Sequence, residues 1–169
     1  MSGHVFKLIT SPVGPLTLGA GERGLTAILW ENNDPRDYGL DVIGEDPKHP
    51  VLVETERQLR EYFAGKRKSF DLTLEFAGTE FQKEVWQALL TIPFGETRSY
   101  GQIAKQIGRP KAVRAVGAAN GRNPISIIAP CHRVIGSSGD LTGFGGGLKA
   151  KAYLLRLEGS KNDLFTVPA

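Results

Sequence analysis

The chain has 169 residues, a formal net charge of +3 and 40% hydrophobic residues, enough for one ordinary domain or two small ones with a real core. No apolar run approaches the ~20 residues of a membrane span, and the single cysteine excludes an internal disulfide. A reducing, cytoplasmic setting without membrane contact is therefore expected, and the modest positive charge permits nucleic acid as a partner without requiring it.

Met1 to Lys7 shows neither the basic start nor the apolar stretch of a signal peptide. His4 to Thr10, Leu16 to Ala20 and Leu25 to Trp30 are short segments rich in β-branched and aliphatic residues, separated by Pro12-Val13-Gly14-Pro15 and by Gly21 to Gly24. This spacing predicts a three-stranded antiparallel meander. Residues 31–50 are polar throughout and read as a long surface loop. Leu52, Leu59 and Tyr62/Phe63 mark one face of a helix over Val51 to Ala64, and Phe70 to Leu74 reads as one more strand. His4 and His49 are isolated in this half and are expected on the surface.

At Thr79 the texture turns helical. Thr79-Glu80-Phe81-Gln82 and Ser99-Tyr100-Gly101-Gln102 are both capping boxes, each followed by apolar residues at helical spacing. Gly108-Arg109-Pro110 makes a turn before a further helix over Lys111 to Asn120. Helix, tight turn and helix fits a helix-turn-helix, and equally any two packed helices. On the second helix Val113, Val116, Gly117 and Asn120 share one face; Lys111, Ala112, Ala115, Ala118 and Ala119 lie opposite, with Arg114 on the flank. Alanines cannot bond base edges, so this helix suits close approach to a groove with little sequence reading.

Ile125, Ile127 and Ile128, between Pro124 and Pro130, read as a buried strand delivering Cys131 and His132 to a turn. A thiol beside an imidazole suits a nucleophile, while a lone cysteine also suits a buried packing role. Gly143 to Gly147 allows close backbone approach to something flat, or forms a loop; no Gly-Lys-Ser/Thr ending marks it as a phosphate loop. Leu148 to Glu158 is a last helix on which Glu158 leans toward the apolar flank, where a carboxylate needs a partner and His132 is a candidate. Residues 159–169 read as a tail.

Pro130-Cys131-His132-Arg133-Val134, with Ser99-Tyr100, Arg114-Ala115-Val116-Gly117, Asn123-Pro124 and Leu157-Glu158-Gly159, resembles the O6-alkylguanine-DNA alkyltransferases, the methylated-DNA–protein-cysteine methyltransferases. The match runs from about Thr79 to Gly159, and the N-terminal part has the right size and strand pattern. The resemblance implies an α+β protein: a small N-terminal sheet-and-helix domain over 1–77, structural in role, then a mostly helical domain over 78–160 with a helix-turn-helix, and a tail over 161–169. It implies a monomer that flips O6-alkylguanine, and O4-alkylthymine, out of duplex DNA and transfers the alkyl group irreversibly to its own Cys131. His132 would deprotonate the thiol through a water, with Glu158 holding the imidazole. Asn123 would act as a hinge, and Tyr100 would sit by the flipped base as proton donor. Arg114 would enter the stack, with Lys111, Ala112, Ala115 and Arg133 also at the DNA minor groove. Val134, Phe144, Gly145 and Gly146 would line the base pocket.

The chemistry agrees with the resemblance. A thiolate is the strongest side-chain nucleophile for displacement at an alkyl carbon, and a free thiol needs a base to ionise at neutrality. Some members carry a hydroxyl residue at the position of Gly145, where a backbone N–H would have to serve here. Members with zinc use cysteines and histidines absent from this chain, so neither metal nor cofactor is expected. A cysteine hydrolase, a lesion binder without transfer and a sequence-specific regulator are the competing classes.

Overall fold

The computed structural model describes residues 3–136 and 146–159. The chain divides into two compact units, Met1–Gly78 with Pro124–Ser126, and Thr79–Asn123 with Ile127–Ala169. No helix among the described residues is long and apolar enough to cross a membrane.

In the first unit, β1 (His4–Ile9), β2 (Leu16–Ala20) and β3 (Leu25–Trp30) form the expected antiparallel meander. The stretch 31–50 is not simply a loop. It holds a 3-10 helix at Pro35–Tyr38 and a fourth strand, β4 (Val42–Glu45), which pairs parallel to β1 and gives the order β3-β2-β1-β4. Phe70 to Leu74 forms no strand: Leu74 makes a single bridge to Leu25, with Leu25 N–H donating to the Thr73 carbonyl at 2.9 Å. His4 is buried rather than exposed, because its ring turns in to the Asp41 carbonyl at 3.3 Å. His49 caps α1 (Pro50–Phe63), accepting from the Val51 N–H.

The sheet is covered on both faces. Leu52, Leu59 and Tyr62 of α1 are buried, as an amphipathic helix on a sheet requires. In another cluster, Phe6, Ala27 and Leu29 pack with Leu40 and Tyr38 from the segment after β3. Phe6, Gly19 and Ala27 are cross-strand partners, and a side chain at Gly19 would collide with the Phe6 ring.

Every residue of β3 is buried although it is an edge strand. The reason is the short return of the chain at Pro124–Ser126. Ile28 N–H donates to the Pro124 carbonyl at 2.9 Å, Ile125 bridges to Ile28, and the Trp30 indole N–H donates to the Ser126 hydroxyl at 3.1 Å. The edge of β3 is covered along this stretch. Ile125, Ile127 and Ile128 are buried as expected but do not form a strand. Ile127 lies at φ 75°, a left-handed conformation that costs a β-branched residue roughly 1–3 kcal/mol and ends any extended run.

The second unit is mostly helical: α2 (Glu80–Leu89), α3 (Tyr100–Gln106), α4 (Val113–Gly121) and α5 (Leu148–Leu157). Thr79 and Ser99 form the two capping boxes in full. The α4 helix starts two residues later than expected, after Lys111 and Ala112. Its buried face holds Val116, Ala119 and Asn120, whereas Val113 is exposed, a rotation of the sequence-based assignment. The Trp86 indole fixes that rotation by donating to the Ala119 carbonyl at 2.8 Å. Two short strands, β5 (Arg98–Ser99) and β6 (Val134–Ile135), pair in parallel and were not expected.

Replacing Trp30 by Phe keeps one six-membered ring but removes the pyrrole with its N–H, leaving the buried Ser126 hydroxyl without its indole donor and a small void beside it. A loss of about 1–3 kcal/mol is expected in urea unfolding of the full chain.

Candidate active site

Cys131 is buried and opens a 3-10 turn over Cys131–Arg133, in place of the expected strand end. The turn follows from local bonds: Cys131 N–H donates to the Ala129 carbonyl at 2.7 Å and Arg133 N–H to the Pro130 carbonyl at 2.9 Å. Pro130 lacks an N–H and cannot extend any ladder.

Side chains from three segments hold the carbonyls of this turn. Asn123 Nδ2 donates to Ala129 at 2.8 Å, Asn120 Nδ2 to Cys131 at 3.4 Å, and Lys151 Nζ to Val134 at 2.6 Å. Asn123 also donates its backbone N–H to the Asn120 carbonyl at 3.3 Å, so it ties the end of α4 to the turn. Asn120 and Lys151 did not emerge from the sequence as site residues. Both had a legible signal, a polar residue on the apolar face of its helix.

The imidazole of His132 is fully buried and its Nε2 lies 2.8 Å from Glu158 Oε2. Burial drives the His132 pKa below its ordinary value, against the pull of Glu158, so the ring is neutral. Burial also pushes the Glu158 carboxyl upward. Hydrogen bonds from His132 and then Arg133, with the Arg133 charge, more than reverse that and hold it at about 2. An ionised carboxylate only accepts, so neutral His132 must donate from Nε2. Its Nδ1 then carries the lone pair, and Nδ1 is a buried atom with no hydrogen-bond partner among the described residues. The arrangement is a base held in one tautomer by a buried anion.

Arg133, expected among the DNA contacts, is only 7% exposed. Its Nε donates to Glu158 Oε1 at 2.8 Å, Nη2 to Oε2 at 2.9 Å and Nη1 to the Ile92 carbonyl at 2.6 Å. This two-point pairing makes Arg133 an internal support of the carboxylate rather than a surface cation. Val134 is fully buried beside the turn, and Gly146 lies in a turn before α5. Phe144 and Gly145, like the tail, lie outside the described residues.

The remaining expected residues sit on or near α4. Lys111, Arg114 and Ala115 are exposed and Ala112 is half-buried. Tyr100, half-buried at the start of α3, lies over Gly117: a Cβ there would meet the Tyr100 ring at 3.8 Å. α4 thus presents small side chains with one long cation, Arg114, while its buried end reaches the cysteine turn.

Because the Glu158 carboxyl is lowered from 4.5 to about 2, its stabilisation is fully present above pH 4.5 and is lost as pH falls toward about 2, on the order of 3 kcal/mol in all. Acid unfolding should show this limb. In Glu158→Gln the limb should be absent, and the protein should be less stable at neutrality because Arg133 loses its counter-charge.

Residues 80–160 match the family described as 6-O-methylguanine DNA methyltransferase, DNA binding domain, and residues 5–76 match its ribonuclease-like domain. The methylated-DNA–protein-cysteine methyltransferase of Methanosarcina acetivorans is 52% identical over 155 residues, covering 92% of this chain and 98% of that protein. The one from Mycobacterium leprae is 53% identical over 152 residues, 90% of each chain. Among solved structures, the Mycobacterium tuberculosis O6-methylguanine methyltransferase superposes with a TM-score of 0.81 at 52% identity over 92% of each chain. The Mycobacterium tuberculosis OGT in complex with DNA does so with 0.82 at 51% identity, over 93% of this chain and 96% of that one. With both halves matched and half of all aligned residues identical, the chain belongs to the methylated-DNA–protein-cysteine methyltransferase family.

Proposed function

We propose that this protein repairs DNA by moving the alkyl group of O6-alkylguanine, and of O4-alkylthymine, onto Cys131. The observation that carries the reading is the buried His132–Glu158 pair beside the buried Cys131 in the chain, with the imidazole neutral and its Nδ1 unpaired among the described residues. A hydrolase would use the same residues. The exposed, alanine-lined α4 with Arg114, and the family to which the chain belongs, favour DNA.

The Cys131 S–H proton passes to His132 Nδ1 through a water, and the charge that develops on the ring faces Glu158. The thiolate attacks the alkyl carbon from the side opposite O6. A carbon–sulfur bond forms, the carbon–oxygen bond breaks, and its electron pair stays with the guanine, which takes a proton from Tyr100. The product is a thioether, for which the chain has no chemistry of reversal. Each molecule therefore acts once.

Cys131 is buried and the alkyl carbon sits on the pairing, major-groove edge of a stacked base, so the nucleotide has to leave the stack at a cost of roughly a few kcal/mol. Arg114 fills the gap and offsets part of that cost, entering from the minor groove with Lys111, Ala112 and Ala115 against the backbone. With no base-bonding side chain on that face, binding is nearly indifferent to sequence. Asn123 is the hinge between α4 and the cysteine turn. Val134 and Gly146 line the pocket for the flipped base. The protein works as a monomer in the cytoplasm, and residues 1–77 have a structural role.

Intact mass after mixing with duplex containing O6-methylguanine is expected to rise by one methyl, mapped to Cys131, with consumption stopping at one equivalent. Cys131→Ala should show no gain. Turnover beyond one equivalent would instead establish a hydrolase. Arg114→Ala should keep the chemistry but slow transfer, by roughly tenfold for each ~1.4 kcal/mol of flipping cost no longer offset, in single-turnover assays.

A further inference from the structure

Lys151 lies on the buried side of α5, between Ala150 and Ala152, with no exposed surface. Its ammonium donates to the Val134 carbonyl at 2.6 Å, three residues beyond Cys131. Its charge reaches both Cys131 and His132. Burial lowers its pKa to about 8, which still leaves it mostly cationic at neutral pH. Burying an ammonium is costly, and an apolar chain of the same length would pack in its place. A thiol that must ionise inside the protein is the group nearby that gains from a fixed positive charge.

We propose that Lys151 is a positioning residue for the acceptor: its buried ammonium, pinned on the Val134 carbonyl, supplies the counter-charge under which Cys131 ionises. The inference rests on Cys131 being the alkyl acceptor. Among the described residues, the Lys151 charge acts on the titratable groups Cys131 and His132, while Arg133 and Glu158 are bonded to one another. The same cation opposes protonation of His132, so the base stays neutral until the thiol proton arrives. Lys151 takes no proton and forms no bond to the substrate. The proton goes to His132 and the sulfur lone pair to the alkyl carbon.

The test is the pH dependence of single-turnover methyl transfer from O6-methylguanine duplex by the full chain, with duplex affinity measured alongside. Lys151→Met should bind duplex as the parent does, transfer roughly tenfold more slowly at neutral pH, and recover as the pH is raised. Lys151→Arg should keep most of the neutral rate. An unchanged profile in Lys151→Met, or an equal loss at every pH, would overturn the proposal. Independently of any Lys151 variant, the ultraviolet thiolate absorbance of the parent, read against Cys131→Ser, should appear below the ~8.5 of a free thiol. Appearance only above that value would overturn the proposal as well. Absence of methyl on Cys131 in the parent would instead remove the acceptor reading on which it rests.

Discussion

The site depends on one buried carboxylate. Glu158 would be costly alone in the interior, and it is stable there because a guanidinium and an imidazole share its two oxygens. From that sharing the rest follows. The carboxylate stays ionised, the imidazole must point its N–H at it, and the other ring nitrogen is left with its lone pair as a base. Arg133, in turn, is anchored on the Ile92 carbonyl after α2, so the anion is fixed from the end of one helix and the base from the turn before another strand.

The backbone of the cysteine turn is held with comparable thoroughness. Asn123, Asn120 and Lys151 each take a carbonyl of residues 129–134, so side chains substitute for the ladder that Pro130 and Ile127 interrupt. A left-handed isoleucine survives only where both flanks are fixed. On one flank Pro124–Ser126 is bonded to β3 and on the other Asn123 grips Ala129. The nucleophile is thereby placed by several modest interactions rather than by one strong element.

Much of this was legible in the chain. The meander was announced by its turn residues, and α2 and α3 by the capping boxes at Thr79 and Ser99, because those signals are local. The link between His132 and Glu158 could be argued from a carboxylate leaning into an apolar stripe. What escaped depends on distant partners. Val42–Glu45 is too short and too polar in its surroundings to read as a strand until β1 lies beside it. Ile125 to Ile128 has the composition of a strand, but its conformation is decided by anchors at both ends. Arg133 belongs to a residue type that composition assigns to the surface, and only its tertiary contacts explain its burial.

The return of Pro124–Ser126 to the edge of β3 bears on the order in which the molecule is assembled. The sheet leaves the ribosome first, and until residue 126 is made its last strand is an open template for any extended chain. The segment that closes this edge is the one that leads directly into the nucleophile. Completing the sheet and placing the thiol are thus one event in biogenesis, so a chain truncated before residue 124 would be an aggregation hazard as well as inert.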